Sequence, residues 1–365
     1  MASLGSSFPI SQQVLGSEIL TGPIANRAVD FSVTDPSMGT MKKVAFFAVK
    51  MILFPWGLYE LLKFTMQRVV MIFLYPAQSR IVKLFLRGVW GTSALDRARL
   101  NQVQRLRGLG FTVRDVVLMR NGVRYNGITI SRPNTIENRA WAIQATGNSE
   151  PIEHSLELFA RVYGTINFNI LLINGPQVGR SEGHANPDTM ADVQELGIRY
   201  LEEALSANKV ILAGRSLGGA VMGGAILKHE FKPDIQYTVV RQMSFDRASN
   251  VCSKIIGMTI FARLKNIVKR LVGWCCELDG IAPSRKLSEL NIKEVIVQSA
   301  VRRSSGVAPA KDDFSFDNVI PKEATLGYRL VKEGVTTNKV FCCAPWGHVD
   351  NETIYLPLQL EEVAP

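Results

Sequence analysis

From about residue 111 onward, apolar runs of strand length alternate with longer stretches of helical period. VRDVVLM (113–119) and VRYNGITIS (123–131) flank Asn121-Gly122, a pair suited to a tight hairpin in which both central residues need positive φ. Further strand-like runs are WAIQAT (141–146), FNILLIN (168–174), KVILAG (209–214), YTVVRQMS (237–244), EVIVQSA (294–300) and KVFCCA (339–344). Several are apolar throughout, as expected of strands buried on both faces. Between them, IEHSLELFARVYG (152–164), TMADVQELGIRYLEEAL (189–205) and LGGAVMGGAILKHE (217–230) read as helices. A hairpin followed by this alternation predicts an α/β fold, a mostly parallel sheet with helices on both faces.

Upstream the pattern changes. Residues 41–110 are apolar and basic with helical character, and residues 1–40, rich in Ser, Gly, Pro and Thr, read as loosely ordered. The chain therefore divides into 1–40, 41–110 and 111–365, and within the last part the stretch 246–284 is placed to form a small cap. In residues 44–77 the longest runs without a charge are 51–59 and 69–79. Both fall short of the ~20 residues that a spanning helix needs. On a helical wheel Lys50, Glu60, Lys63, Gln67 and Arg68 fall within roughly 140° of arc opposite Phe, Leu, Ile, Trp and Met, with Pro55 a candidate break. That is the signature of a helix lying on a membrane surface. A helix folded onto the following domain and a subunit interface are the alternatives.

Charge sharpens this division. The net charge is +10, and twelve cations against Glu60 and Asp96 place all of it in 41–110. An anionic membrane surface is the expected partner. Nucleic acid is not, because the cations are interleaved with aliphatic residues and no reading motif accompanies them. The five cysteines, Cys252, Cys275, Cys276, Cys342 and Cys343, show no metal-ligand spacing, and buried thiols in a reducing, cytoplasmic compartment are expected. No ordinary secretory signal is visible in residues 1–40, although the pattern leaves export by a less regular signal open.

The chemistry gathers at KVILAGRSLGGA (209–220). Gly214-Arg215-Ser216-Leu217-Gly218 is G-x-S-x-G between a buried strand and a small-residue helix. Such a turn lifts the serine in a strained conformation that requires small neighbours, and the helix that follows points unpaired N–H groups at the reacting oxygen. Ser216 is thus the candidate nucleophile. Of four histidines, His154 and His229 lie in helical stretches and His184 in the loop GRSEGHANPD (179–188). His348 follows the last strand in a Gly-His turn and is the candidate base. The backbone N–H groups of Leu217 and Asn148 are the candidate oxyanion donors; the rival role for the 146–150 loop is a plain turn in which Ser149 caps a helix. The acid that orients His348 belongs in the loop after 294–300. Asp317 is preferred, with Asp312, Asp313 and Asp246 as alternatives.

These stretches carry a family resemblance. WAIQATGNSE is similar to the HGN-type loop of serine hydrolases, LLINGPQVGRSEG (171–183) to their strand–loop, GRSLGG to the nucleophile elbow, APWGHVD to the histidine turn and SFDNVIPKEATL (315–326) to the acid turn. The chain resembles the α/β-hydrolase superfamily, and within it the chlamydial 43-kDa protein family, over roughly residues 111–360. The resemblance implies the chain order Ser, acid, His and a serine hydrolase of esters or thioesters, of lipid or acyl-protein, needing no metal or organic cofactor. Two departures lie near the site: Thr146 stands where many hydrolases have His, and Asn174-Gly175-Pro176 replaces Tyr-Arg-Gly. The rival expectation is a catalytically idle hydrolase fold serving as a membrane-associated interaction protein.

Overall fold

A computed structural model describes residues 28–35, 54–76, 79–132, 135–148, 150–258, 262–302, 304–306, 308–345 and 347–348. The remainder of the leading segment, the cations Lys42, Lys43 and Lys50, and Ser149 lie outside the described residues.

Ten strands form one sheet in the order β1-β2-β3-β5-β4-β6-β7-β8-β10-β9. They are β1 (Phe31–Val33), β2 (Thr112–Arg120), β3 (Val123–Ser131), β4 (Ala140–Ala145), β5 (Asn169–Ile173), β6 (Lys209–Arg215), β7 (Gln236–Gln242), β8 (Lys293–Ser299), β9 (Ser304–Gly306) and β10 (Lys339–Ala344). From β5 through β4, β6, β7 and β8 to β10 every pairing is parallel. The β2–β3 hairpin and the β3–β5 and β9–β10 pairings are antiparallel. Asn121 and Gly122 have φ of 51° and 81°, as the two-residue hairpin requires.

The helices are α1 (Phe54–Leu74), α2 (Arg80–Phe85), α3 (Arg87–Trp90), α4 (Thr92–Gly108), α5 (Leu156–Thr165), α6 (Pro187–Arg199), α7 (Leu217–Lys228), α8 (Ala248–Gly257), α9 (Lys265–Cys275), α10 (Ile281–Glu289) and α11 (Leu326–Glu333). A turn of π-helix, Tyr200–Ala204, extends α6. Side chains alternate across the sheet: on β6, Ile211 and Ala213 pack beneath α4 and α5, while Val210 and Leu212 pack beneath α6, α7 and α10. This two-layered burial is why the central strands are apolar throughout.

The N-terminal segment is built into this body. Phe31–Val33 adds a parallel strand to β2. On α4, Val103 and Leu106 are 1% and 0% exposed in the core under the sheet. Pro55 occupies the first turn of α1, where its missing N–H leaves no helical hydrogen bond unmade, so α1 runs on unbroken from Phe54. No helix among the described residues is long and apolar enough to cross a membrane. Between β7 and α10, α8 and α9 pack on each other in the stretch where the sequence predicts a small cap, and α1 packs on α9: Trp274 Nε1 donates to Tyr59 Oη at 2.6 Å, with the two rings edge to face at 5.4 Å.

Candidate active site

Ser216 stands between the end of β6 and the first turn of α7, with φ of 54° and ψ of −121°. A non-glycine residue at such angles is strained, and the surroundings must hold it there. The Ser216 N–H donates to the Gln242 carbonyl at 2.8 Å, and the Ser216 carbonyl accepts from Gly219 N–H at 3.1 Å and Ser244 Oγ at 3.2 Å. The flanking glycines are steric necessities. A Cβ on Gly214 would lie 2.4 Å from the Gly218 carbonyl oxygen, and one on Gly218 would lie 2.2 Å from that of Ala145.

Three side chains from distant loops meet here. Ser216 Oγ lies 2.9 Å from His348 Nε2, and His348 Nδ1 lies 2.8 Å from Asp317 Oδ2. The tautomer with its proton on Nδ1 satisfies both contacts, donating to Asp317 and accepting from the serine hydroxyl. Asp317 is fully buried, and its other oxygen accepts from the backbone of Val319 at 3.0 Å and of Ile320 at 2.5 Å. The His348 N–H also donates to the Asp317 carbonyl at 2.6 Å. The carboxylate is therefore oriented before it meets the imidazole. Arg215, the residue before the serine, donates from Nη2 to the His348 carbonyl at 2.7 Å.

The other candidates lie elsewhere. Asp312 is exposed near Lys322, and Asp313 accepts from Ala310 N–H. Asp246 is fully buried just before α8, where it meets Arg247 N–H, Asn250 and Arg329. Burial raises its pKa to about 6, opposed by the Asn250 and Arg247 hydrogen bonds and by the charge of Arg329. His184 faces Gln177 on an exposed loop, His154 is exposed, and His229 is buried against Glu202 at 2.8 Å. Burial disfavours the charged form of His229, yet Glu195 and Glu202 together raise its pKa.

Of the two oxyanion candidates, Leu217 is buried in the first turn of α7 and Asn148 is exposed in the loop after β4. That loop runs beside the serine, since a Cβ on Gly147 would come within 3.8 Å of Ser216 Cβ. Thr146 closes the loop on itself, its Oγ1 donating to the Glu150 carbonyl at 2.7 Å.

The second departure from the usual strand–loop also has a structural role. Asn174 is buried and donates to Glu153 at 2.7 Å, and Glu153 in turn pairs with Arg99 of α4 at 2.9 Å. At Gly175 a Cβ would lie 3.2 Å from Tyr75 Oη. Asn174-Gly175 thus accommodates the N-terminal segment where it meets the loop after β5. The contacts that Arg215, Gln242 and Ser244 make at the elbow are not legible in the sequence. The x positions of G-x-S-x-G carry no signal of their partners, and contacts made by a backbone carbonyl leave none in the sequence. Among the described residues no group of acidic, histidine or cysteine side chains could hold a metal ion.

Comparison with known proteins places the fold. An alpha-beta hydrolase from Vibrio vulnificus is similar with a TM-score of 0.53 at 11% identity, covering 78% of this chain and 93% of that one. An esterase of Pyrococcus furiosus is similar with a TM-score of 0.47 at 16% identity, over 70% of this chain and 89% of its own. An alpha-beta serine hydrolase homologue from Coxiella burnetii gives 0.40 at 15% identity, over 68% and 94%. The sheet order and the Vibrio likeness identify an α/β-hydrolase fold. No curated protein matches the sequence. A family model described as Chlamydia CHLPS protein (DUF818) matches residues 25–326, which is most of the chain, and the chain belongs to the Chlamydia CHLPS protein (DUF818) family.

Proposed function

We propose that this protein is a serine hydrolase that cleaves esters or thioesters through an acyl-enzyme. The observation that carries the reading is the continuous chain of contacts from Ser216 Oγ to His348, 2.9 Å, and from His348 to Asp317, 2.8 Å. Ser216 attacks the acyl carbonyl while His348 Nε2 takes its proton, and Asp317 holds the imidazolium that forms. The same proton passes to the departing alcohol or thiol. Water then attacks the acyl-serine with His348 again as base, and Ser216 is restored. Backbone N–H groups of Leu217 and Asn148 would receive the negative charge on the tetrahedral oxygen. No step needs a metal or an organic cofactor.

Beside the serine, Leu217 and Val221 belong with Phe245 and Val251 to one buried apolar cluster. A fluorophosphonate probe tests the reading. Wild type should be labelled on Ser216, and Ser216→Ala should take no label while keeping its melting temperature. Absence of labelling in well-folded wild type would leave the idle-fold reading standing.

A further inference from the structure

Helix α1 turns its apolar stripe away from the domain it packs on. At 100° per residue Leu58, Leu61, Leu62, Val69 and Phe73 fall within roughly 120° of arc. They are 55, 61, 52, 43 and 75% exposed. The opposite side faces the body, with Val70 and Met71 buried and Glu60, Lys63 and Gln67 half-buried. A helix amphipathic only for its own domain would be rotated the other way. The exposure continues into α2 and α3, where Leu84, Phe85 and Val89 are 71, 82 and 50% exposed. Half of the exposed large apolar side chains among the described residues lie between Leu58 and Val89. An apolar patch of this kind marks an interaction surface.

The surrounding charge selects the partner. Besides the buried Arg99, residues 54–110 carry eight cations and only Glu60 and Asp96 as acids. Helix α9, which meets α1 through Trp274 and Tyr59, adds exposed Lys265, Lys269 and Arg270 and contains no acid. Immediately before α1 the sequence MKKVAFFAVKMIL (41–53) adds three lysines and no acid. A second copy of the chain would bring like charge against like. An anionic bilayer offers both an apolar interior for the stripe and negative headgroups for the cations.

We infer that α1 is the face by which this protein lies on an anionic phospholipid surface, with Leu58, Leu61, Leu62, Val69 and Phe73 inserted. The inner side of α1 gives the surface a second meaning. Val70, Met71 and Tyr75 share one apolar cluster with Leu217, Ala220 and Val221 of the nucleophile helix. If the hydrolase reading holds, on which this clause alone rests, the substrate is an ester that the bilayer itself supplies.

The experiment is flotation of the full-length chain with phosphatidylcholine vesicles, with and without phosphatidylglycerol, at low and high salt. Wild type should float with the anionic vesicles, at least tenfold better than with neutral ones, and salt should weaken it. The double variant Leu61→Glu, Phe73→Glu changes only exposed positions. It should keep its circular dichroism spectrum and any phosphonate labelling, yet lose binding by tenfold or more. Equal flotation of variant and wild type overturns the inference, as does failure of wild type to float. So does a dimer in light scattering that the double variant dissociates while vesicles are ignored, which would assign the face to a second copy. Flotation without phosphonate labelling upholds the surface and refutes the hydrolase reading alone.

Discussion

The guanidinium of Arg215 donates to the backbone carbonyl of His348 over 2.7 Å, so the residue preceding Ser216 grips the loop that carries His348. His348 also takes its backbone anchor from Asp317. The imidazole is thus fixed from both sides, by the elbow and by the acid turn. In the proposed mechanism Arg215 touches no reacting atom and would act by positioning His348. Arg215→Ala should lower kcat on a p-nitrophenyl ester by about 10- to 100-fold, the loss expected when a base is misplaced by about 1 Å, with KM little changed. Arg215→Lys should recover part of it. An unchanged kcat in the alanine variant would show that the loop after β10 holds its own shape.

Asp317→Asn separates the acid from its rivals. The new side chain keeps an oxygen for Val319 and Ile320 N–H, so the turn and the melting temperature should survive. What is lost is the charge that stabilises the imidazolium and selects its tautomer. Turnover should fall by about 10³- to 10⁴-fold. Asp312→Asn and Asp313→Asn, on the outer part of the loop, should stay near wild type. Loss of activity in Asp313→Asn with full activity in Asp317→Asn would mean that the loop rearranges before catalysis.

Much of this fold is legible in the sequence because its central strands are buried on both faces and its turns demand particular residues. Each of the eight longer strands falls within one or two residues of its apolar run, and Asn121-Gly122 and Gly214–Gly218 mark a hairpin and an elbow that few other residues could form. Asp317, 31 residues before His348, is legible only through its Asp-x-Val-x-Pro-like turn, since spacing alone leaves Asp312, Asp313 and Asp246 open. Strand β1 has three residues and β9 three, too short for any period to show. The direction of α1 was the least legible feature. A helical wheel reveals two faces but not which one meets protein, and here the half-polar face does.

Asp246 gives a pH-dependent signature that catalysis does not share. It is fully buried, and burial raises its pKa to about 6 against 3.8 for the ordinary side chain. Between pH 4 and 6 the folded chain holds a proton here that the unfolded chain has released, so this group's contribution to stability falls as pH rises through that window. The shift corresponds to roughly 2–3 kcal/mol. Urea unfolding of wild type and Asp246→Asn at pH 4, 5, 6 and 7 isolates it, because every other titrating group is common to both. The stability of wild type relative to the variant should decline by about that amount from pH 4 to 7. A flat or rising difference would show that Arg329 and Asn250 outweigh burial.

Arg99 decides whether the N-terminal helices can be removed at all. It is 4% exposed on α4, where Nη1 pairs with Asp115 of β2 at 2.9 Å and Nη2 with Glu153 before α5 at 2.9 Å. Both carboxylates are buried, so the guanidinium is the cation between two charges that water cannot reach. Arg99→Leu preserves apolar volume but leaves Asp115 and Glu153 facing each other unneutralised. Breaking a buried pair in this way costs about 3–5 kcal/mol. Arg97→Leu, two residues away on the exposed side of α4, should change stability by less than about 0.5 kcal/mol. Truncation at residue 110 adds the loss of Val103 and Leu106 from the core to the loss of Arg99, and the shortened chain should be insoluble or molten. Unfolding of Arg99→Leu at the urea midpoint of wild type, or a soluble and cooperative 111–365 fragment, would show instead that the hydrolase body closes without its N-terminal helices.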